Sequence, residues 1–141
     1  MADPVLLKQA VIDALTAIPG LGGRVHDGAL TKAAATDSAG YVLPYVVLFA
    51  GIGDNPQETT ARGDTPTGAL VFDFQTTCVG PGTGQSAGVA RDVRTALLNL
   101  RIGRGTVRKN PDGFDQPTPV REEGVTPVRY MLPQQWRLIT N

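Results

Sequence analysis

The chain has 141 residues, with 13 basic and 13 acidic side chains, a length that suits a single domain over residues 1–141 and can bury an independent core. A formal net charge of zero argues against a free-standing nucleic-acid binder, whose footprint is a strong basic excess. No run approaches the ~18 apolar residues of a membrane span, and Met1-Ala2-Asp3-Pro4 carries an acid with no long apolar stretch behind it, which argues against a secretory leader.

Seventeen glycines and 11 prolines make up about a fifth of the sequence, so the chain is rich in loops, yet its apolar residues fall in patterned blocks. The first block predicts a helix. Asp3 suits the N-cap and Pro4 the first helical position. Leu7, Val11, Ala14, Leu15 and Ile18 recur at helical spacing, and Pro19-Gly20 stops the run. Arg24 to Asp27 reads as a short strand, and residues 28–40 as a loop of small residues. Tyr41 to Phe49, rich in β-branched and aromatic residues, predicts a second strand. Pro44 within it donates no ladder hydrogen bond and favours the start of the paired stretch or an edge.

Ala69 to Val79 is the clearest strand. Leu70, Phe72, Phe74, Thr76 and Cys78 share the face that covers the core, and Val71, Asp73, Gln75, Thr77 and Val79 face solvent or a partner. After the turn at 80–84, Ser86 is a candidate N-cap for a second helix through Leu100, with Ala90, Val93, Leu97 and Leu100 on one face. Gly103 and Gly105 are expected to end it. Two short strands close the chain, near Pro127–Leu132 and Gln134–Ile139, with Pro133 at a bend or bulge in one ladder. The order of elements lacks a regular βαβα alternation. It predicts an α+β fold, a mainly antiparallel sheet with two helices packed on one face.

The residues with chemical potential are isolated. Gly82-x-Gly84-x-x-Ala87 stands between a strand and a helix, as a dinucleotide-binding turn does. However, the strand before it is amphipathic, and no acid occurs between Asp92 and Asp112 to meet a ribose. His26, the single histidine, lacks partners that spacing would supply for acid–base or metal chemistry. Cys78 is the single cysteine and sits on the core face, which excludes an intrachain disulfide and a cysteine zinc site and fits a buried structural thiol. It also fits synthesis in a reducing cytoplasm. Asp54, Glu58 and Asp64 share one loop without calcium-loop spacing. These residues predict no enzyme active site, metal or cofactor.

Charge is distributed more informatively. Residues 1–78 hold 4 basic and 8 acidic side chains, and residues 79–141 hold 9 basic and 5 acidic. Arg91, Arg94, Arg101, Arg104, Arg108 and Lys109 are opposed in their stretch by Asp92 alone. Such a cluster fits nucleic-acid contact, complementarity between neighbouring copies, or a solvated helix face. Two long segments, 51–67 and 103–119, are polar and rich in Pro and Gly. Unpatterned loops of this length are often functional, and these read as segments ordered against other subunits.

In order, Pro4-Val5-Leu6-Leu7-Lys8-Gln9-Ala10-Val11, Gly23-Arg24-Val25-His26-Asp27, Leu43-Pro44-Tyr45-Val46-Val47-Leu48, a strand ending near Cys78, a helix with Ala90-Arg91-Asp92-Val93, and a closing β segment from Tyr130 to Ile139 make a familiar series. The series resembles the tail terminator (tail-completion, head–tail joining) proteins of long-tailed bacteriophages. The resemblance covers most of the chain through short structural motifs, and it leaves residues 103–119 unmatched.

It implies a non-enzymatic virion protein made in the bacterial cytoplasm. Such proteins form a ring, usually of six copies, on the head-proximal end of the tail tube. The ring ends tube polymerisation and presents a surface to the head connector. The partners implied are further copies of the chain, the tail tube protein, the head connector or head-closure protein, and tape-measure protein or DNA in the lumen, with no membrane. On that basis the expected contacts are the strand edge near Tyr41–Phe49, with Tyr45, the loop 51–67 with Asp54 and Asp64, the loop 103–119, and the basic side chains Arg91, Arg94, Arg101 and Arg104. Two alternatives stay open: a head-closure or connector protein of the same joint, and a small nucleotide-binding protein using the Gly82-Thr83-Gly84 turn.

Overall fold

A computed structural model describes residues 3–30, 33–54, 70–114 and 116–140. The chain is an α+β protein: two helices lie on one face of a mixed, mostly antiparallel sheet.

Helix α1 spans Pro4–Thr16. Asp3 caps it, its Oδ1 accepting from the Val5 N–H at 2.9 Å, and Pro4 occupies a position where a missing N–H costs nothing. Leu7, Val11 and Leu15, one every four residues, are its buried stripe. A 3₁₀ turn at Pro19–Leu21 ends the helical run and inserts Leu21 into the core. Strand β1 (Val25–Asp27) then pairs in parallel with β2 (Tyr45–Ala50). Pro44 immediately precedes β2, where its carbonyl accepts from Arg24 Nε at 2.7 Å, so proline stands at the strand start as its chemistry predicts.

Strand β3 (Leu70–Gly80) pairs antiparallel with β2 and, over eleven consecutive residues, with β8 (Tyr130–Thr140). The predicted alternation holds. Phe72, Phe74, Thr76 and Cys78 are buried, and with Val46 and Leu48 of β2 and Leu132, Trp136 and Leu138 of β8 they make the floor on which the helices pack. Helix α2 spans Thr83–Leu97 and contributes Val89, Ala90, Val93 and Leu97 to the same core.

Pro133 interrupts nothing, and the two predicted C-terminal strands are one ladder without a bulge. The carbonyl of Gln135 accepts from Asn110 N on the outer side of β8. Backbone groups alternate sides along a strand, so Pro133 also points its N atom outward, away from β3, where no ladder hydrogen bond is lost.

Several expectations need correction. Gly82, not Ser86, is the N-cap residue of α2. Ser86 lies buried inside the helix, and its Oγ donates to the Cys78 carbonyl at 3.0 Å. The helix ends at Leu97 rather than Leu100: Leu98 is extended at ψ 125°, and Asn99 follows it left-handed at φ 68°, a conformation asparagine tolerates.

Residues 103–119 are not a long loop awaiting a partner, because most of them fold against this chain's own sheet. Strands β4 (Arg101–Ile102) and β5 (Gly105–Thr106) form a tight hairpin. Beyond it, β6 (Arg108–Lys109) pairs with one end of β8, and β7 (Val120–Arg121) pairs with the other. Gly105 approaches the end of β8 so closely that a Cβ there would meet Leu138 Cδ1 and Thr140 Cβ at 2.8 Å and collide with the Ile139 carbonyl oxygen.

A further correction concerns the outward face of the sheet. Its end is covered by Leu30 and Ala34, from the 28–40 stretch that the sequence presents as a loop, together with Val42 at the start of the predicted second strand. Val42, Tyr45, Val47 and Val79 form a second small core there, with Leu30, Ala34 and Met131 packed against it. The rest of that face stays open over Phe49, Asp73 and Ile139, all exposed, with half-buried Val71, Gln75, Thr77 and Gln135 among them.

Candidate functional site

A groove of about 410 Å³ runs along the outer edge of β8, in the gap between β6 and β7. Its apolar lining comes from Ala87, Ala90 and Leu98 on the α2 side and from Leu132, Pro133 and Trp136 of β8. The opposite wall comes from Phe114, Gln116 and Pro117, with Phe114 half exposed. Gln135 holds that wall in place: its carbonyl accepts from Asn110 N at 3.0 Å and its side-chain Oε1 from Phe114 N at 3.1 Å. Trp136, 3% exposed, is fixed by its indole N–H donating to Thr76 Oγ1 at 3.0 Å.

Basic side chains rim the groove. Arg91 and Arg94, three residues apart on α2, both line it and are exposed, as is Lys109 of β6. Arg91 approaches Asp92 at 3.4 Å, an exposed pair worth little in water. Arg94 has no acidic partner among the described residues and lies in the last turn of α2, where the helix dipole favours a cation. Arg101 and Arg104 are exposed on the β4–β5 hairpin, next in the chain after this helix end. Arg108 reaches back to Asn99 Oδ1 at 2.9 Å, tying β6 to the turn that follows α2. Clustering of the arginines was legible from sequence. The groove beside two of them was not, because its far wall comes from the unpatterned 103–119 stretch.

The remaining predicted contact residues fare differently. Tyr45 is 4% exposed; its hydroxyl accepts from Arg129 Nη1 at 3.1 Å, and His26 packs edge-to-face on its ring at 5.5 Å. It is an internal residue of the second core, so the expectation that it contacts another subunit fails. The strand edge around it is also taken, because β1 pairs with Val46, Val47 and Leu48. Asp54 is exposed, and its backbone forms a bridge with Val71. Asp64, Glu58 and most of the 51–67 segment lie outside the described residues.

The other reactive groups are positioned as structure. Burial pushes the Cys78 thiol up to about 12, against a smaller opposing effect of Thr76. Partial burial lowers the pKa of His26. Arg137 donates two hydrogen bonds to Asp73 at 2.8 and 3.0 Å and one to Asp112 at 2.9 Å, which raises its pKa, with Asp73 dominant. That triad clasps β3, β8 and the segment after β6. Among the described residues no three His, Cys, Asp or Glu side chains are grouped to hold a metal.

The glycine turn is closely packed. Gln85 folds back so that its Oε1 lies 2.6 Å from where a Gly82 Cβ would stand, and a Gly80 Cβ would meet Ser86 N at 2.7 Å. The strand before it is antiparallel to both neighbours, unlike the parallel strand of a dinucleotide-binding unit. No protein-family model matches the sequence, and no curated protein matches it.

Proposed function

We propose that the chain is a ring-forming structural protein of the phage tail terminator kind. About six copies would cap the head-proximal end of a tail tube, stop its growth and offer a surface to the head connector. The observation that carries the reading is the asymmetry of the sheet. One face is sealed by α1 and α2, while the other stays open over Phe49, Asp73 and Ile139, and one lateral edge bears a basic groove. Unlike surfaces on one subunit suit head-to-tail contacts, which close into a ring when the rotation per copy fits. The charge difference between residues 1–78 and 79–141 adds to the reading, since unlike charges favour contact between copies. The order of sequence motifs adds to this as a resemblance.

Adding the purified protein to growing tail tubes tests the proposal by electron microscopy. The reading predicts a ring at one end and tubes of limited length. Tubes that elongate unchanged and bare at both ends would overturn it. Fractionation of virion parts separates the neighbouring reading: a terminator stays with tails, and a head-closure protein stays with DNA-filled heads.

A further inference from the structure

We infer that the groove beside α2 receives the Ile52 turn of a neighbouring copy, as the anchor of a head-to-tail contact. The inference rests on the ring reading and names the surface that reading requires.

Three observations carry it. First, Ile52 is 82% exposed, the most exposed large hydrophobic side chain among the described residues. A side chain so placed loses the most by remaining in water and gains about 25 cal/mol per Å² of apolar surface when covered.

Second, the turn that presents Ile52 is fixed in place. Gly53 has φ 78° and lies against Leu70, whose Cγ stands 2.8 Å from a would-be Cβ. The backbone of Asp54 exchanges two hydrogen bonds with Val71, at 2.8 and 2.6 Å. A pre-organised apolar knob binds without the ordering cost of a mobile one.

Third, knob and groove lie on opposite sides of β3. Ile52 follows β2, whereas the groove opens on the far edge of β8. A copy therefore presents Ile52 away from its own groove and toward another copy's. Charge agrees with this direction. The groove is rimmed by exposed Arg91 and Arg94, and exposed Asp54 stands two residues after Ile52. The anchor is the buried centre of a larger contact, since a stable interface takes about 800 Å² per partner.

Disulfide trapping on the full chain tests it. Cys78 is buried and silent to oxidation, so new thiols at exposed positions report alone. Ile52→Cys and Ala87→Cys are made singly and together, and circular dichroism checks that each is folded. Under mild oxidation each single variant alone is expected to stay uncrosslinked. An equimolar mixture of the two should give dimers, and the double variant a ladder that stops at the ring number. If assembly occurs on tail tubes only, the trapping is done there.

Self-crosslinking of Ile52→Cys would show a two-fold contact and overturn the inference. A ring detected by native mass without a ladder from the double variant would also overturn it, and would leave the ring reading standing. A wild-type chain that stays monomeric alone and on tubes would defeat both.

Discussion

Trp136 and Thr76 are joined across the β3–β8 ladder by a hydrogen bond of 3.0 Å, indole N–H to hydroxyl, with both side chains buried. It places a polar contact in the middle of the apolar floor and fixes the ring that lines the basic groove. Thr76→Val keeps the shape and removes the acceptor, leaving a buried N–H unpaired. The expected cost is about 1–3 kcal/mol in denaturant unfolding, with a change in the emission of the single tryptophan. An unchanged midpoint would mean that the indole finds another partner.

Two glycines make a matched pair of opposite sign. Gly105→Ala drives a methyl group into the Ile139 carbonyl and should destabilise by roughly 1–3 kcal/mol. Gly88, inside α2, has nothing within 4 Å of a would-be Cβ, so Gly88→Ala should stabilise by about 0.5–1 kcal/mol. Thermal unfolding of the two variants reads both signs at once.

The Cys78 thiol is held neutral by burial, its pKa pushed up from 9.0 to about 12. Between those two values the unfolded chain has lost the proton that the folded chain keeps. The thiol's contribution to stability is thus complete below about pH 9 and declines as pH rises towards 12. Cys78→Ala should remove this part of the alkaline slope. In the native wild type, thiol reagents should react only as fast as the protein opens. Rapid labelling under native conditions would contradict the buried placement.

Arg91, Arg94 and Arg101 are exposed and sit in a part of the chain with few acids. Replacing all three with Glu reverses the sign of the groove rim and of the neighbouring hairpin. Most exposed substitutions shift stability within about 0.5 kcal/mol, and Glu in the last helical turn at Arg94 adds at most about 1 kcal/mol of dipole penalty. The variant should therefore remain folded by circular dichroism while failing to form rings or to complete tails. Normal assembly would remove these arginines from the interface.

Sequence pattern reached the architecture where side chains alternate or recur. The Phe72-Phe74-Thr76-Cys78 face, the Leu7-Val11-Leu15 stripe and the α+β arrangement were legible because burial enforces a period. The two-residue strands β6 and β7 are too short to show any period, so the stretch that walls the groove looked like a loop. The burial of Tyr45 is hard to read from sequence because Leu30 and Ala34, which join Val42 in covering it, come from a stretch with no repeating pattern. Asn99 was a missed stop signal: the glycines after it drew the helix end too far, although asparagine is the other residue that readily turns left-handed.

The central claim is that copies of this chain close on one another. Native mass measured across a concentration series, alone and with tail tubes present, tests it most directly. The account predicts one closed species of about six copies that does not grow further with concentration. Monomers at every concentration, with none retained on the tubes, would contradict it.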